Sequence, residues 1–587
     1  MKHLTFTVLL LLLVLISAFG QNDSLLIDTI FVVAQKKETI IHSKNGLNIN
    51  NLSHFPQVYV KYALPGSQAS VSISGMGAKH TGISFNGFEV QNIGTGSIDI
   101  SNFPLSLFNN AQISFLPASP ESGMAGKIDF FNTSAHSSTV NLQTSVGSFG
   151  YKEFQTKSFS NLAHMHILSA FSYESADNNF TFRNNYLPRN PIDTVKNAEY
   201  IRIGLLNTLT YSTPKLKIFA QNLAFGINRN FPAPISFIGD YREHQLNLGD
   251  LFGISLKYKT SELSIRPKVQ TFIFQSFWYG KRNKFTAWNK SFQQSVSFSL
   301  QAAWEHFTLK FMNRYANFHS MYFNKQTVDI QKYRQNSFLT LNYRKKTLSV
   351  AVSVLFANEF GFNYGLKTIF NFKNLNLSFA KSITYPSLYD LYWLPGGNSA
   401  LKPENAFSLN LAKNFQKNRL QLKAEFFAKY VKNWIMWQPS KFHYWEATNL
   451  PFVAGFGSNF SVVASVKNWQ IAAWISFVHL QDNTGKYLLF VPSVSTYLEF
   501  KRKIGQNSEF AINANYVGPR HFSYASSDKL AGFLTIDLMF RQKILSRAKF
   551  LLFLSVQARN LLNTHYELVP ARPLPGRNFL LNLNFKF

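Results

Sequence analysis

The feature that most constrains this chain is a strict alternation of apolar and polar side chains, repeated in many separate segments. In the last segment, 578–587, one face is apolar and the other, with Leu580 the exception, is polar. The apolar face is Phe579, Leu581, Leu583, Phe585 and Phe587, and the polar face is Asn578, Asn582, Asn584 and Lys586. Segments 375–379, 420–430 and 510–516 alternate in the same way. A period of two is typical of β-strands with one apolar and one polar face. After residue 20 no apolar run approaches the ~20 residues of a membrane-spanning helix.

Such strands build either a soluble sandwich, with the apolar face inward, or a transmembrane barrel, with the apolar face towards lipid. Three features favour the barrel. Aromatic residues make up 16% of the chain, as the aromatic girdles of membrane barrels require. The chain also begins with an export signal, described next, and it ends on an alternating strand whose last residue is Phe587. Because lipid satisfies no backbone hydrogen bond, the sheet must close, and we expect the last strand to pair with the first one near Val140.

Residues 1–20 form the predicted export signal. Lys2 and His3 precede an unbroken apolar run at 8–16, and small residues follow up to Gly20. This is the pattern of a secretory signal peptide cleaved before Gln21. The alternative, a membrane-anchoring helix, is disfavoured because the run is shorter than the ~20 residues of a span.

The residues from 21 to about 135 have a different character. They are rich in Gly, Ser and Asn, and short strand-like pieces at 71–74 and 82–85 indicate a small mixed domain. The remaining ~450 residues hold about 22 strands at roughly 10 residues per strand plus loops. Barrels of this size have a plugged lumen. We therefore expect an all-β membrane protein, a ~22-stranded transmembrane β-barrel with a small mixed α/β N-terminal plug domain inside its lumen.

Several motifs, in the right order along the chain, resemble those of the TonB-dependent outer-membrane receptors. Segment 72–87 is similar to the "IRGxG…LxLIDG" region of the family's plug, and 94–104 looks most like the plug of the cobalamin receptors. In the barrel, 398–404 matches the family's "NPNLKPE" loop, and 560–577 with the terminal Phe587 matches its closing hairpin. The resemblance covers nearly the whole chain after the signal peptide.

The resemblance implies a signal peptide at 1–20, a periplasmic TonB-box segment at 21–36, a plug domain at 37–135 and a transmembrane barrel at 136–587. The TonB box is an extended segment that pairs with the energy transducer by strand addition. It is implied at Asp28, Thr29, Ile30, Phe31, Val32, Val33 and Ala34. The alternative is that these residues are an ordinary first strand of the plug.

The implied partners are the periplasmic C-terminal domain of TonB with its inner-membrane energising complex, outer-membrane lipid and lipopolysaccharide, and a small-molecule nutrient. The implied location is the outer membrane of a Gram-negative bacterium. The plug also departs from the family pattern, since Asn86 replaces an aspartate and the acidic "IERIEV" region is lost at 107–113. These missing charges put the usual locking of plug to barrel in question, though not the fold.

By the same resemblance, the ligand lies where the plug apex meets the outer loops. Amides, hydroxyls and bare glycine backbone at the apex suit a large polar ligand, and flat aromatic rings on the predicted outer loop 383–404 add apolar contact. The predicted ligand contacts are Gln91, Asn92, Thr95, Ser97, Tyr392 and Trp393. The alternative is that Gly94 and Gly96 only make a tight turn and that the two aromatic residues belong to the girdle. The strand at 375–381 is expected to run outward and the chain to return to a periplasmic turn near 416–419.

The formal net charge of +30 fits polar loops and a lumen that face anionic lipopolysaccharide. The sharper interpretation is an anionic substrate, such as a ferric siderophore or a phosphate-bearing corrinoid. No phosphate-binding Gly-Lys-Ser/Thr loop, HExxH or nucleophile elbow is present, and there is no cysteine to build a thiol enzyme. We expect no enzymatic activity, no cofactor, no resident metal and no nucleic-acid partner. Segment 383–404 contains no histidine, which argues against haem.

Two classes of function remain. The first is active, TonB-dependent uptake of a scarce large nutrient, with cobalamin or a related corrinoid ahead of a ferric siderophore. The second is a passive porin-like channel, or a divergent binding protein that has lost energised transport.

Overall fold

The structure is a computed structural model that describes residues 31–35, 38–43, 46–116, 123–133, 137–324, 326–441, 444–524, 528–547 and 550–587. The predicted signal peptide and three residues of the predicted TonB box, Asp28, Thr29 and Ile30, lie outside the described residues. In the described part of the chain, no helix has the length and apolar character needed to cross a membrane.

The N-terminal part of the chain builds a small mixed sheet and a separate hairpin. Its strands are β1 (Phe31–Gln35), β2 (Glu38–His42), β3 (Val58–Tyr62), β4 (Ala69–Ile73), β5 (Thr81–Phe85), β6 (Phe88–Val90), β7 (Asn110–Ser114) and β8 (Gly126–Phe131). The sheet has the order β1-β2-β7-β8-β5-β6, in which only β5 and β8 are parallel, and β3 pairs with β4 in the hairpin. Short 3₁₀ helices at Ile49–His54, Ala78–His80, Ile100–Asn102 and Leu105–Leu107 supply the helical part.

The core of this domain is aromatic. The rings of Phe103, Phe108 and Phe130 surround that of Phe85, with centroids 4.5 to 5.5 Å away, and all four side chains are fully buried. Phe103 also meets Phe225 of the surrounding wall at 4.4 Å. Burying such rings is the main favourable term for a small domain. Here part of the buried surface comes from the wall, so the domain packs as a plug within it.

The rest of the chain follows in order as β9 (Thr139–Gly147), β10 (Lys152–Leu162), β11 (Met165–Ala176), β12 (Thr181–Arg183), β13 (Ile192–Thr194), β14 (Tyr200–Ser212), β15 (Leu216–Phe231), β16 (Tyr241–Lys259), β17 (Leu263–Arg282), β18 (Phe285–Trp304), β19 (Phe307–Asn324), β20 (Gln326–Arg344), β21 (Leu348–Ala357), β22 (Gly361–Phe372), β23 (Leu375–Thr384), α1 (Leu388–Tyr392), β24 (Glu404–Lys417), β25 (Leu420–Pro439), β26 (Trp445–Val466), β27 (Trp469–Asp482), β28 (Val494–Ile504), β29 (Ser508–Val517), β30 (Arg520–His521), β31 (Lys529–Leu530), β32 (Phe533–Arg547), β33 (Phe550–Arg559), β34 (Glu567–Val569), β35 (Arg572–Pro573) and β36 (Asn578–Lys586).

Twenty-two of these strands form one closed antiparallel barrel, and the pairs β12–β13, β30–β31 and β34–β35 lie in its loops. This confirms the predicted fold and strand number. The prediction for the last strand is also confirmed, because β36 pairs with β9 and the backbones of Phe587 and Val140 exchange hydrogen bonds of 2.9 and 3.1 Å. Phe579 and Leu581 of β36, and Phe587 directly after it, are exposed on the outer surface, while Asn582 and Asn584 are buried inside.

The two ends of the barrel differ. At one end, the turn end, short turns at 163–164, 373–374, 418–419 and 467–468 join the strands. At the other, the loop end, the connections are longer, as at 177–199, 385–403 and 560–577. The predicted loop at 383–404 and turn at 416–419 are therefore found, but the loop is shorter at both edges, because Ile383 still belongs to β23 and Glu404 begins β24. The helix α1 inside this loop was not predicted.

Candidate functional site

The plug apex is the connection that follows β6, and its shape is set by Asn92. The side-chain oxygen of Asn92 accepts hydrogen bonds from the backbone N–H groups of Gly94 and Thr95 at 3.0 and 3.1 Å. Gly96 has a φ of +74° and donates its N–H to the Asn92 carbonyl at 2.8 Å. Asparagine and glycine in these roles are typical of tight turns. Thr95 is exposed at the tip, and its hydroxyl donates to the Ser97 carbonyl at 3.0 Å.

The apex is joined to the loop above it through the first turn of α1. The N–H groups of Leu388 and Tyr389 donate to the carbonyls of Ile93 and Gly94, both at 2.9 Å. Ser387 caps the helix and accepts from the Asp390 N–H at 3.1 Å. The first N–H groups of any helix lack partners within it. The plug satisfies two of them here, so α1 and the apex form one unit, which we call the clasp (residues 91–97 and 387–393).

An ion pair fixes the clasp from the side. Lys79, in the plug, contacts both carboxylate oxygens of Asp390 at 2.6 and 2.7 Å. The indole N–H of Trp437 donates to the same carboxylate at 2.7 Å. Burial raises the pKa of Asp390, but the charge of Lys79 and hydrogen bonds from Lys79 and Ser387 lower it further, and the net pKa lies below its ordinary value. Asp390 is therefore held in the ionised form.

Gln91 and Gly94 tie the apex to the barrel wall. Arg314, on β19, donates to the side-chain oxygen of Gln91 at 2.7 Å. Gln293, on β18, donates to the Gln91 carbonyl at 2.6 Å and accepts from the Ile93 N–H at 2.8 Å. A Cβ atom on Gly94 would lie 2.5 Å from the ring of Phe318. The close approach of the Phe318 ring on β19 therefore favours glycine at position 94.

The two predicted aromatic contacts lie at the end of α1. The ring of Trp393 stacks on that of Tyr322 with centroids 4.0 Å apart and an interplanar angle of 10°. The Tyr322 hydroxyl donates to the Leu394 carbonyl at 2.7 Å and accepts from its N–H at 2.6 Å. The ammonium group of Lys332 sits 4.6 Å from the ring centre of Tyr392. Tyr392 and Trp393 thus belong to the clasp and face groups of the inner wall.

The structure brings all six predicted contacts together in the clasp. It adds Lys79, Asp390, Arg314 and Tyr322, which sequence reasoning did not single out. One of them carried a signal, because Ser387 and Asp390 have the spacing of a capping box and so mark the start of a helix. The others lie on plug and barrel segments far apart in the chain, and no local pattern connects them.

Further buried pairs anchor the plug elsewhere. Arg229 bonds to Asp99 at 2.6 Å, and His80 meets Glu404 at 2.7 Å beside the ring of Trp434. The plug is therefore locked by charged and polar groups, although the acidic motif of the family is absent. A cavity of about 360 Å³ separates the plug from the wall built by β9–β11 and β28–β36. Among the described residues, no group of three or more His, Cys, Asp and Glu side chains is placed to hold a metal ion.

Comparison with known proteins identifies the family. Residues 84–561 match the family described as TonB dependent receptor-like, beta-barrel, which is most of the chain, and the protein belongs to that family. No curated protein matches the chain.

Solved structures agree on the fold. The copper transporter OprC has 12% sequence identity and a TM-score of 0.78, with 97% of this chain and 100% of that chain covered. The FrpB iron transporter from Neisseria meningitidis has 12% identity and a TM-score of 0.73, with 94% and 99% covered. The ferripyoverdine receptor of the outer membrane of Pseudomonas aeruginosa has 11% identity and a TM-score of 0.73, with 94% and 86% covered. The family match over 84–561 confirms the expected family. The solved structures confirm the fold, and neither comparison supports the cobalamin subgroup.

Proposed function

We propose that this protein is an outer-membrane receptor that takes up a metal ion or a metal–siderophore complex, with energy supplied through TonB. The loop end faces the cell exterior and the turn end faces the periplasm. The support is the family, together with structural neighbours whose names state copper, iron and ferripyoverdine. A corrinoid is the second candidate, favoured by the similarity of segment 94–104 to the plug of the cobalamin receptors.

The order of the plug sheet is the observation that carries this proposal. β1, which contains Phe31 to Ala34 of the predicted TonB box, is one edge strand, and β6 is the other. The apex begins at Gln91, directly after β6. A force applied to β1 therefore has a hydrogen-bonded route to the apex, and the apex is bonded to α1 in the outer loop. Ligand binding at the clasp and docking of TonB at β1 are thus coupled through one rigid sheet.

The ligand proposed for this site rests on the clasp at the loop end. Thr95 and Ser97 offer hydroxyls, Trp393 and Tyr392 offer flat rings, and the exposed Lys332 offers positive charge towards an anionic chelate. A ligand on these groups competes with the contacts between α1 and the apex, and so shifts the plug between a closed and a released state. In the domain plan that we propose for this cycle, 37–135 is the plug, 136–587 is the barrel, and 21–36 is a periplasmic segment whose strand β1 pairs with the edge of the plug sheet.

The plug–barrel contacts also bear on the alternative of a passive channel. Contacts such as the ion pair between the buried Arg229 and the part-buried Asp99 hold the plug in the lumen, and separating such a pair inside the lumen leaves a buried charge without its partner. An external energy source is the natural means of releasing a plug that is held in this way. This supports energised transport over a porin-like function.

The test is to disable strand pairing at the TonB box without touching the clasp. Val32→Pro removes a backbone N–H and prevents strand addition, and Val32→Ala is the matched control. In whole cells, uptake of a ⁵⁵Fe-siderophore panel and of ⁶⁴Cu should be lost in Val32→Pro and kept in Val32→Ala, while surface binding of the transported compound stays unchanged in both. Uptake that survives both Val32→Pro and deletion of residues 28–34 would contradict the proposal.

A further inference from the structure

A second cavity, which we call the basic cavity, lies between the plug and the opposite side of the barrel wall. Its volume is about 220 Å³, several times the ~30 Å³ that a water molecule occupies in the liquid. Five basic side chains and one carboxylate line it: Lys127, Arg266, Lys268, Lys310, Arg314 and Glu89. The plug supplies Lys127 and Glu89, and strands β17 and β19 supply the others.

The single carboxylate is shared among several of these cations. Lys127 contacts Glu89 at 2.8 Å, and Arg314 lies 3.6 Å from its other oxygen. Burial raises the pKa of Glu89, but the positive charges of Lys127, Lys310 and Arg314 lower it more, and the net pKa is well below its ordinary value. Basic side chains therefore outnumber the one carboxylate that lines the cavity, and their net charge is positive even with Glu89 ionised.

Two of the cations have no carboxylate of their own. Among the described residues, no acidic side chain lies within ion-pair distance of Arg266 or Lys310. Lys268 is held differently, since it donates to the Gly87 carbonyl and sits 4.1 Å from the ring centre of Phe88. Clustered like charges beside low-dielectric walls attract counter-ions, and hydrogen bonds from such groups to an anion are stronger than neutral ones.

The basic cavity is reached from the turn end. A wider hollow of about 440 Å³ is lined by the turns between β16 and β17 and between β18 and β19, and it shares Gln301 and Lys310 with the basic cavity. A small anion can thus enter past Lys310 without crossing the clasp.

We propose that the basic cavity is a binding site for a small oxyanion, a phosphate or carboxylate group, that enters from the turn end. Such an anion competes with Glu89 for Lys127 and Arg314. Arg314 also holds the side chain of Gln91 in the apex, so occupancy of the basic cavity loosens the clasp from below. This inference does not depend on TonB or on the identity of the transported ligand.

The test measures binding of inorganic phosphate and of citrate to the purified full-length receptor in non-ionic detergent, by calorimetry at constant ionic strength with chloride as background. The double variant R266Q/K310Q should weaken binding by about tenfold or more, as expected for loss of two charge-assisted hydrogen bonds. Lys413→Gln, an exposed lysine of β24 near the turn end, is the matched control and should bind as the wild type does. Heat-modifiable gel mobility verifies that each variant is folded.

The variant Glu89→Gln separates the two interpretations of the basic cavity. If the cavity binds an anion, removal of the competing carboxylate should tighten phosphate binding by about threefold or more. If Glu89 only holds the cavity together, its removal should weaken phosphate binding. Binding of phosphate and citrate alike supports a general oxyanion site open to a carboxylate-bearing substrate, and binding of phosphate alone supports free phosphate as the occupant. No heat above the chloride background, unchanged affinity in R266Q/K310Q, or weaker binding in Glu89→Gln would each overturn the inference.

Discussion

At the scale of single residues, the protonation of a buried side chain can affect the stability of the plug–barrel interface, and His54 is the example. It ends the first 3₁₀ helix of the plug and lies with its ring 4.6 Å from that of Tyr497 on the wall. Burial lowers the pKa of His54 to about 4, with Glu499 raising it and Lys501 lowering it. His54 is therefore neutral at pH 7, and a proton on it would place a charge inside the plug–barrel interface.

The first prediction concerns the pH dependence of stability. Between pH 6.5 and about 4 the unfolded state binds the His54 proton and the folded state does not, so stability falls as pH falls through this window, by about 3 kcal/mol in total. His54→Phe keeps an aromatic ring beside Tyr497 and should remove this contribution to the pH dependence of stability. Thermal unfolding in detergent at pH 7.5 and 4.5 measures it, with His164→Phe, an exposed turn histidine, as control. An equal slope in wild type and His54→Phe would contradict the assignment.

The second prediction concerns the apex. Gln91 and Asn92 use their side-chain oxygens to hold the apex to Arg314 and to shape its turn. Replacing both with alanine should weaken ligand binding to whole cells by about tenfold, as loss of one or two buried hydrogen bonds does. Receptor abundance should be unchanged, and Asn374→Ala, in an exposed turn, serves as control. Unchanged affinity at normal abundance would move the ligand site away from the apex.

At the scale of elements, the notable feature is α1, a helix of about one and a half turns whose first N–H groups are bonded to the plug. α1 spans only Leu388–Tyr392, and helices this short are not stable alone. The plug accepts hydrogen bonds from the N–H groups of Leu388 and Tyr389. Ser387, directly before the helix, caps it, and Lys79 and Trp437 bond to the carboxylate of Asp390. The helix is thus bonded to the plug as an extension of it within the loop 385–403. In the proposed function, this bonding is what carries ligand binding to the plug sheet.

The third prediction tests this dependence. Asp390→Asn removes the charge that Lys79 pairs with, and it should speed amide hydrogen exchange in segment 385–394 by about tenfold or more, since loss of a charged hydrogen bond costs about 1.5–3 kcal/mol. Mass spectrometry on the purified receptor measures the amide exchange rate of this segment directly. Asp193→Asn, in the exposed loop at 177–199, should leave segment 385–394 unchanged. Equal exchange in all three proteins would show that α1 holds its shape without the ion pair.

Across the whole molecule, the proposed transport requires the plug to move inside a barrel that stays closed. The hydroxyls of Ser106, in the plug, and Ser172, on β11, lie 2.8 Å apart. The natural chain has no cysteine, so a cysteine pair at these two positions can form one defined cross-link between plug and wall.

The fourth prediction uses this pair. The oxidised double variant S106C/S172C should bind ligand at the cell surface with normal affinity but lose most of its uptake, because the cross-linked plug cannot leave the wall. Uptake should return on reduction with dithiothreitol, and each single variant should transport normally. Full uptake by the cross-linked receptor would show that transport proceeds without movement at this contact.

The fifth prediction concerns closure. Phe587 extends the β36–β9 ladder that closes the barrel by exchanging backbone hydrogen bonds with Val140, and its ring lies 5.2 Å from that of Phe550. Deleting Phe587 should lower the folded, heat-modifiable fraction in the outer membrane, because it shortens this ladder and leaves backbone groups of Val140 unpaired. Phe587→Leu keeps the backbone pair and should assemble better than the deletion. Normal assembly of the shortened chain would count against this role.

Much of the architecture was accessible from the sequence because it follows from local period. Alternation along 578–587 predicted which side chains of β36 lie outside and which inside, and the need to pair every strand in lipid predicted its partner near Val140. Chain length divided by strand length predicted the 22 strands that the barrel has. The apex residues and Tyr392 and Trp393 were placed at one site by their resemblance to a family, and the structure brings them together.

What the tertiary structure alone decided is which groups meet between plug and wall. Lys79 and Asp390 are 311 residues apart in the sequence, and Arg314 reaches Gln91 from a strand with no marked motif. The alternation of apolar and polar residues predicts which face of the barrel wall a side chain lies on. Which plug residue a wall side chain contacts depends on how the plug is rotated and positioned within the barrel. The clasp and the basic cavity both form at contacts between separate segments, so no local pattern in the sequence specifies them.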